Sequence, residues 1–328
     1  MTRQTGRRIV LAAAGLGVAA ALLATRNGDA ASPDAAPAAT QAQASGFDSN
    51  RAWEHLGKIV SIGPRPAGSP GIRQLRAYIT RQMSALGLTV QEQTFTTDTP
   101  QGPVEMANLV VRLPGRRAEK ILITGHYDTK PFRDVTFVGA NDGGSSAAFL
   151  VELARALKDR PREFTWELVW FDGEEAFCLN WTDCGRPDAP DNTYGSRHYV
   201  KAAQDAGALK AIRAMILVDM IAERDARFMR ESRSTRWLKD IIWGTAGELS
   251  YRASFPEVET PIEDDHYPFL DAGVDSVDII DLEYGGPMMG FWHNASDTLD
   301  KLSARSLQIV GDVLVASLPK IEQELQNR

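Results

Sequence analysis

Cysteine is scarce in this chain. Cys178 and Cys184 are the only two among 328 residues. Two cysteines are too few for a disulfide framework or for a structural zinc site built from cysteines, and they can form at most one bridge. The length is sufficient to bury a large core, so the chain is not a small domain that depends on disulfides.

Positively charged residues are fewer than negatively charged ones. The chain has 36 Lys and Arg against 43 Asp and Glu, which gives a net charge of -7 at pH 7. Four Arg and a single Asp lie in the first 30 residues, so the rest is more acidic than the whole. An acidic surface repels a phosphate backbone, and we expect no nucleic-acid partner. With 43% hydrophobic and 24% charged residues, the composition also excludes wholesale disorder and a protein with several membrane spans.

Residues 1–30 are typical of an export signal. Arg3, Arg7 and Arg8 precede a weakly polar run over residues 9–25 that is rich in Ala, Gly, Leu and Val. The Arg pair resembles a twin-arginine leader. Because the run is at the short limit of a membrane span, an uncleaved N-terminal anchor is the alternative to cleavage, and it would be the chain's only membrane contact. We therefore expect a bacterial-type exported protein that is periplasmic, secreted or membrane-anchored facing outside.

Residues 31–46 contain mostly Ala, Pro, Gln and Ser, which predicts a flexible linker. Residues 47–328 then show no repeat and no second linker, so we expect one domain. Apolar runs alternate in it with helical patterns, which predicts an α/β fold: a mostly parallel mixed sheet with helices on both faces, an α/β/α sandwich. The mixed charges of residues 223–236 predict a solvated loop. The expected strands are 88–97, 106–113, 120–127, 165–171, 214–221 and 276–282, and the expected helices are 69–86, 145–158, 195–205, 234–249 and 303–325.

Acids or imidazoles follow four of these strands. His126 and Asp128 end one strand, residues 172–175 follow the next, Asp219 follows a third, and the last leads to a loop with His293. In parallel sheets the carboxyl ends of the strands meet at one edge, where ligands bind. A cap or a solvated turn would explain any one of these acids alone. Four such strand ends predict a site.

The residue types are those of a catalytic metal centre, which needs about three His, Asp or Glu ligands and an open position. Asp142, Glu175 and His293 are the candidates. The glycines around Asp142 allow a tight turn that presents its carboxylate. Glu174 and Glu175 are adjacent at a strand end, so their side chains diverge and one can bind metal while the other moves protons.

These residues lie in motifs that resemble the zinc-dependent glutaminyl-peptide cyclotransferases, which share a fold with co-catalytic zinc aminopeptidases. The resemblance covers residues 51–325. A His-x-Asp motif, His126-Tyr127-Asp128, is common to both groups. The motifs that favour the cyclotransferases are Phe171-Asp172-Gly173-Glu174-Glu175-Ala176-Phe177, Tyr194-Gly195-Ser196-Arg197-His198, Asp264-Asp265-His266 with Pro268-Phe269-Leu270, and Trp292-His293.

The resemblance implies a catalytic domain over residues 47–328 that converts an N-terminal glutamine of peptides or proteins to pyroglutamate and releases ammonia. It implies one zinc ion, held by Asp142, Glu175 and His293, which would polarise the γ-amide of the glutamine. Glu174 is implied to be the general acid/base. The remaining implied site residues are Asp219 and Asp264 as catalytic acids, and Trp292 and Trp181 as substrate-binding residues.

Two other functions fit the same residues. A dizinc aminopeptidase would hold a second metal with His126 and Asp219 and would use Glu174 to activate water. A zinc-containing binding module of the envelope would leave Glu174 idle. Independently of the function, export favours a disulfide between Cys178 and Cys184, beside Glu175.

Overall fold

The computed structural model describes residues 45–328. The predicted export signal or anchor, residues 1–30, and residues 31–44 of the predicted linker lie outside this range. The last two linker residues pack against the domain: the Ser45 hydroxyl donates to Asp312 at 2.5 Å, and the Gly46 carbonyl accepts from Arg155 at 2.5 Å. Ser45 and Gly46 are therefore in contact with the domain.

A central sheet of six strands has the order β1-β2-β4-β3-β5-β6. The pairs β1/β2 and β2/β4 are antiparallel, whereas β4/β3, β3/β5 and β5/β6 are parallel. The prediction of a mostly parallel mixed sheet is confirmed. The strands are β1 (Val90–Thr99), β2 (Gly102–Leu113), β3 (Arg117–His126), β4 (Phe164–Phe171), β5 (Ile212–Asp219) and β6 (Ser276–Ile280).

Helices cover both faces of this sheet. Alternate strand residues point to opposite faces, so Ile123 packs in one core and its neighbour Leu122 in the other. The larger core involves α1, α2, α3, α5 and α7, and the smaller one involves α4 and α6. The helices are α1 (Ser49–Ile62), α2 (Pro70–Ala85), α3 (Gly144–Leu157), α4 (Tyr194–Asp205), α5 (Arg236–Glu248), α6 (Tyr267–Asp271) and α7 (Ala304–Asn327).

Burial follows from this layered arrangement. Every residue of β4 is buried because both faces of this inner strand are covered, and its sequence is mostly apolar. The edge strand β1 instead alternates between half-buried and exposed residues. The observed strand boundaries differ from the predicted ones by up to four residues. For example, β5 ends at Asp219, two residues before the predicted end, because Met220 has a positive φ of 47°.

Helix α1 was not predicted. Asp48 caps it by accepting hydrogen bonds from the backbone amides of Asn50 and Arg51. Its buried residues Ala52, Leu56 and Ile59 have helical spacing. The pattern was therefore present in the sequence, in a short amphipathic helix close to the linker.

The prediction of a solvated loop over residues 223–236 was wrong. Phe228 and Glu231 are fully buried. Arg230–Glu231 forms a short parallel pair with Glu259–Thr260, and Glu231 accepts hydrogen bonds from the amides of Arg233 and Ser234. A buried, hydrogen-bonded acid cannot be distinguished by composition from a solvated one.

None of the helices within residues 45–328 combines the length and the apolar composition that a membrane crossing requires.

Candidate active site

The predicted site residues meet at the carboxyl edge of the sheet. His126 is the last residue of β3, Glu174 and Glu175 follow β4, and Asp219 is the last residue of β5. The loop after β6 brings His293 to the same edge. A cavity of about 350 Å³ opens there. Its lining includes Asp142, Glu174, Glu175, Trp181, Asp219, Asp264, Trp292 and His293.

Asp142, Glu175 and His293 form one group of candidate metal ligands. One ligand atom from each lies within 4.8 Å of the others. His293 Nε2 is 3.1 Å from Glu175 Oε1 and 3.3 Å from Asp142 Oδ2. Burial opposes the charge on His293, but these two carboxylates outweigh it and raise the pKa of the imidazole to about 9. The predicted triad is thus assembled, and its mixed imidazole and carboxylate donors suit a metal ion.

His126, Asp142 and Asp219 form a second such group, so that Asp142 belongs to both. His126 Nε2 is 3.2 Å from Asp142 Oδ1 and 3.1 Å from Asp219 Oδ1. The other ring nitrogen, Nδ1, lies 3.4 Å from Asp128. The structure therefore also brings together the residues predicted for a second metal.

The loop that carries Asp142 is a tight turn. Gly143 has a φ of 69°, and a Cβ there would come within 2.3 Å of the Asp128 carbonyl oxygen, so a side chain at this position is excluded. Arg65 holds the turn from inside, donating to the carbonyls of Val138 and Gly139 at 2.5 and 2.7 Å. Arg65 is fully buried, and burial lowers the pKa of its guanidinium to about 10 despite the acids around it.

Asp297 fixes the backbone of the same turn. Its carboxylate accepts hydrogen bonds from the amides of Asn141 at 2.8 Å and Asp142 at 3.1 Å, and from the Tyr284 hydroxyl at 2.6 Å. Tyr284 and Asp297 belong to the segment that also contains His293. Asp297 thus connects the Asp142 turn to the loop that supplies the histidine of the first group. His293 itself has a positive φ of 51°, a backbone conformation that costs energy and is common at functional sites.

Glu174 lies in the cavity wall but outside both ligand groups. Its amide donates to Asp128 at 3.1 Å, and the Glu175 amide donates to the other Asp128 oxygen at 3.3 Å. These two hydrogen bonds orient the adjacent glutamates at the end of β4. Burial and the neighbouring acids Glu175 and Asp264 raise the pKa of Glu174 well above its usual range, although His126 opposes the shift. A carboxyl whose pKa is raised in this way is suited to accept and return a proton.

Asp264 approaches the cavity from the loop before α6. It is buried, and burial together with Asp219 and Asp265 raises its pKa well above the usual range. Asp265 points away and accepts a hydrogen bond from the Ser196 hydroxyl at 2.5 Å. The predicted acids Asp219 and Asp264 therefore both line the cavity, and neither has a lysine or arginine partner among the ion pairs of residues 45–328.

Aromatic and aliphatic side chains form the remaining walls. Trp292 stacks on the His293 ring at a centroid distance of 3.8 Å and is 37% exposed. Trp181 lines the cavity from a loop closed by a disulfide between Cys178 and Cys184, whose Cα atoms are 6.1 Å apart. Both predicted tryptophans thus line the cavity. The other apolar lining residues are Leu179, Met220, Ile262, Ile280, Leu282 and Met289.

The comparison with known proteins identifies the family. The sequence model of peptidase family M28 matches residues 108–318. The chain belongs to this family. The glutaminyl-peptide cyclotransferase-like protein of Mus musculus is 30% identical to this M28 chain over 301 residues, covering 83% of the chain and 76% of the relative. The glutaminyl-peptide cyclotransferase of Bothrops jararaca is 28% identical over 304 residues, covering 81% and 79%.

Solved structures give the same relationship. A glutaminyl cyclase from an Acidobacteriales bacterium superposes with a TM-score of 0.79 at 36% identity, covering 92% of this M28 chain and all of that structure. The glutaminyl cyclase of Fimbriiglobus ruber has a TM-score of 0.73 at 31% identity and covers 83% and 95%. A leucine aminopeptidase precursor from Bacteroides thetaiotaomicron, at 22% identity and a TM-score of 0.75 with 83% and 97% covered, shares the fold. The resemblance to glutaminyl cyclases with an aminopeptidase fold is confirmed.

Sequence reasoning missed three residues that support the M28 site. Arg65 and Asp297 hold the Asp142 turn, as described above. Lys130 is 2% exposed and lies 3.9 Å from Glu175 Oε2. Lys130 had a detectable signal, since it follows the His126-Tyr127-Asp128 motif by two residues. The partners of Arg65 are backbone carbonyls, which every residue has, so no residue pattern could indicate them.

Proposed function

We propose that this chain is a zinc-dependent glutaminyl-peptide cyclotransferase, an enzyme that converts an N-terminal glutamine to pyroglutamate and releases ammonia. The observation that carries the proposal is the position of Glu174, a buried carboxyl in the cavity wall beside the Asp142, Glu175 and His293 group but not part of it. The similarity to glutaminyl cyclases over most of the chain supports the same activity.

We assign one zinc ion to Asp142, Glu175 and His293. The donor set of one imidazole and two carboxylates suits zinc. The buried oxygens Asp142 Oδ2 and Glu175 Oε2 accept no hydrogen bond from the described residues, so each is available to a cation. When bound, zinc supplies a Lewis acid for the γ-carbonyl oxygen of the substrate glutamine.

In this reaction the α-amine of the substrate attacks the side-chain amide carbon of the same residue. The new carbon–nitrogen bond closes the ring, the bond to the amide nitrogen breaks, and ammonia leaves. Glu174 accepts the proton of the attacking amine and returns it to the leaving nitrogen, so the proton count balances. Trp292 and Trp181 narrow the cavity and hold the side chain folded towards its own amine, which makes the attack effectively unimolecular.

A dizinc aminopeptidase is the second candidate because His126, Asp142 and Asp219 form a complete second ligand group. With two ions bound, Asp142 would serve both groups. Glu174 would then activate water instead of the substrate amine. The two functions differ in product and in metal stoichiometry.

The test is mass spectrometry on a short peptide with N-terminal glutamine, incubated with the purified protein with and without a zinc chelator. A cyclotransferase removes one ammonia and leaves the chain intact, and the chelator abolishes the reaction. Release of the free N-terminal residue would instead identify an aminopeptidase. Metal analysis of the same sample counts the zinc ions per chain.

The proposed location rests on the sequence of residues 1–30. We propose that this segment exports the protein, so that the catalytic domain acts outside the cytoplasm on N-terminal glutaminyl peptides or proteins, either free or held by an uncleaved anchor. Fractionation of the native host, with N-terminal sequencing of the mature protein, tests both points. An intact Met1 in the membrane fraction would indicate the anchor.

A further inference from the structure

Lys130 is a buried cation that does not line the cavity. Its ammonium donates to the carbonyl oxygens of Ala176 and Cys178, at 3.0 Å in each case. These carbonyls lie directly after Glu175 on the chain. A buried ammonium must be matched by acceptors, and Lys130 finds them mainly in the backbone of one short segment.

The same segment is held by its amides from another side chain. Asp191 is 1% exposed and accepts hydrogen bonds from the amides of Phe177 at 3.2 Å and Cys178 at 2.8 Å. The Tyr194 hydroxyl, at 2.6 Å, fixes the carboxylate of Asp191. Residues 176–178 are therefore clamped between a buried cation and a buried anion.

This clamp stands at the base of the disulfide loop, residues 178–184. Four consecutive loop residues, Leu179 to Thr182, line the cavity, and Leu179 is 69% exposed. The Cys178–Cys184 bond closes the loop but does not attach it to the sheet. The hydrogen bonds of residues 176–178 fix the base of the loop next to Glu175.

We propose that Lys130 is a positioning residue of the substrate pocket, whose buried ammonium holds residues 176–178 and thereby places the disulfide loop and Trp181 against the substrate. This inference rests on the proposed function. Lys130 acts through the loop, and it does not touch the substrate. The Lys130 ammonium also lies 3.9 Å from Glu175 Oε2. Lys130 is therefore next to both a proposed metal ligand and the loop that forms the substrate wall.

The test compares Lys130→Met with the wild type, both saturated with zinc. Methionine keeps an unbranched side chain that matches lysine as far as Cε, and it removes the ammonium with both charge-assisted hydrogen bonds. We expect KM for a glutaminyl peptide to rise about 10-fold while kcat changes by less than about 3-fold, because a displaced wall weakens binding more than chemistry. In the zinc-free protein, amide exchange over residues 177–184 should become faster, which is a readout independent of activity.

A double-mutant cycle separates loop placement from a general loss of packing. If Lys130 acts by placing Trp181, adding Lys130→Met to Trp181→Ala should change KM by less than about 3-fold. Additive effects on KM would overturn the proposal. The matched control is Lys201→Met, which removes a 67% exposed ammonium that pairs with Asp205 on α4 and should leave both KM and amide exchange unchanged.

The outcomes distinguish the two proposals. A wild-type protein that does not cyclise the peptide would refute the proposed function, whereas unchanged amide exchange over residues 177–184 in Lys130→Met would refute the role of Lys130. If Lys130→Met does not fold, Lys130→Gln replaces it, since its shorter and neutral side chain weakens the same two hydrogen bonds. An unchanged KM in that variant would show that the ammonium does not place the loop and would overturn the proposal.

Discussion

Replacing Asp297 by asparagine should weaken zinc binding although Asp297 is not one of the proposed zinc ligands. Asp297 accepts three hydrogen bonds: one oxygen takes the Asn141 amide and the Tyr284 hydroxyl, and the other takes the Asp142 amide. Asparagine has a single acceptor oxygen. In its better orientation it keeps the first two bonds and turns its NH2 group towards the Asp142 amide, so that two donors face each other.

The size of the effect follows from this geometry. Asp297 is fully buried, so an unsatisfied amide at Asp142 should cost about 1–3 kcal/mol in the free energy of unfolding of the zinc-free protein. The Asp142 carboxylate is attached to the same peptide unit and should shift with it. Losing a hydrogen-bonded support of a ligand typically weakens metal binding about 10- to 100-fold.

The assays are urea unfolding of the zinc-free protein and competition for zinc with a chromogenic chelator. Asp300→Asn is the matched control, because it makes the same chemical change at a side chain that is 67% exposed and three residues away. We expect the control to shift stability by no more than about 0.5 kcal/mol. A zinc affinity of Asp297→Asn within about twofold of the wild type would refute the argument that Asp297 supports the Asp142 turn.

Three further predictions address the proton carrier, the metal and a buried acid away from the site. Glu174→Gln should lower kcat about 10²- to 10⁴-fold with an unchanged zinc content, and loss of zinc would instead make Glu174 a ligand. Chelation should abolish turnover and lower the thermal unfolding temperature, with both restored by zinc; a chelated protein that stays active would remove the metal from the mechanism. Burial opposes ionisation of Glu231, but His266 and the amide of Arg233 outweigh it and lower its pKa from 4.5 to about 2. The ionised Glu231 therefore contributes fully to stability above pH 4.5, and this contribution is lost as the pH falls through about 2. The difference in unfolding free energy between the wild type and Glu231→Gln, measured with urea, should shrink across that window. A difference that stays constant with pH would contradict the assignment.

The sheet was predictable because most of its strands are buried. Each of the six predicted strands overlaps an observed one, since mostly apolar segments such as β4 have few alternatives to a covered position. The ends were less predictable: Met220 is apolar and buried, yet its positive φ takes it out of β5. In this conformation the Met220 amide donates a hydrogen bond to the Asp219 side chain. The spacing of apolar residues in the sequence gives no information about such a contact.

The candidate site was predictable for a different reason. Its residues follow strands, and the topology of a parallel sheet brings strand ends together without further information. The supports of these residues follow no such rule. Glu231 was assigned to a solvated segment because its partner His266 is 35 residues away, at 3.0 Å in space. Residues whose role depends on one long-range contact or on backbone carbonyls are thus the ones that sequence patterns miss.

The choice between cyclisation and hydrolysis lies outside the shared framework. A leucine aminopeptidase precursor has the same fold, and in this chain His126, Asp142, Asp219, Glu175 and His293 are positioned as two complete ligand groups. The sheet and the ligands are therefore compatible with either reaction. What differs between such enzymes must lie in the loops that shape the cavity, because loops vary on a constant scaffold. Two loops do so here: the disulfide loop, which contributes Trp181, and the segment after β6, which contributes Trp292. Each is tied to a metal-ligand residue by a buried charge, Lys130 beside Glu175 and Asp297 at the Asp142 amide. A change at Lys130 should therefore act mainly on the substrate cavity, and a change at Asp297 mainly on metal binding.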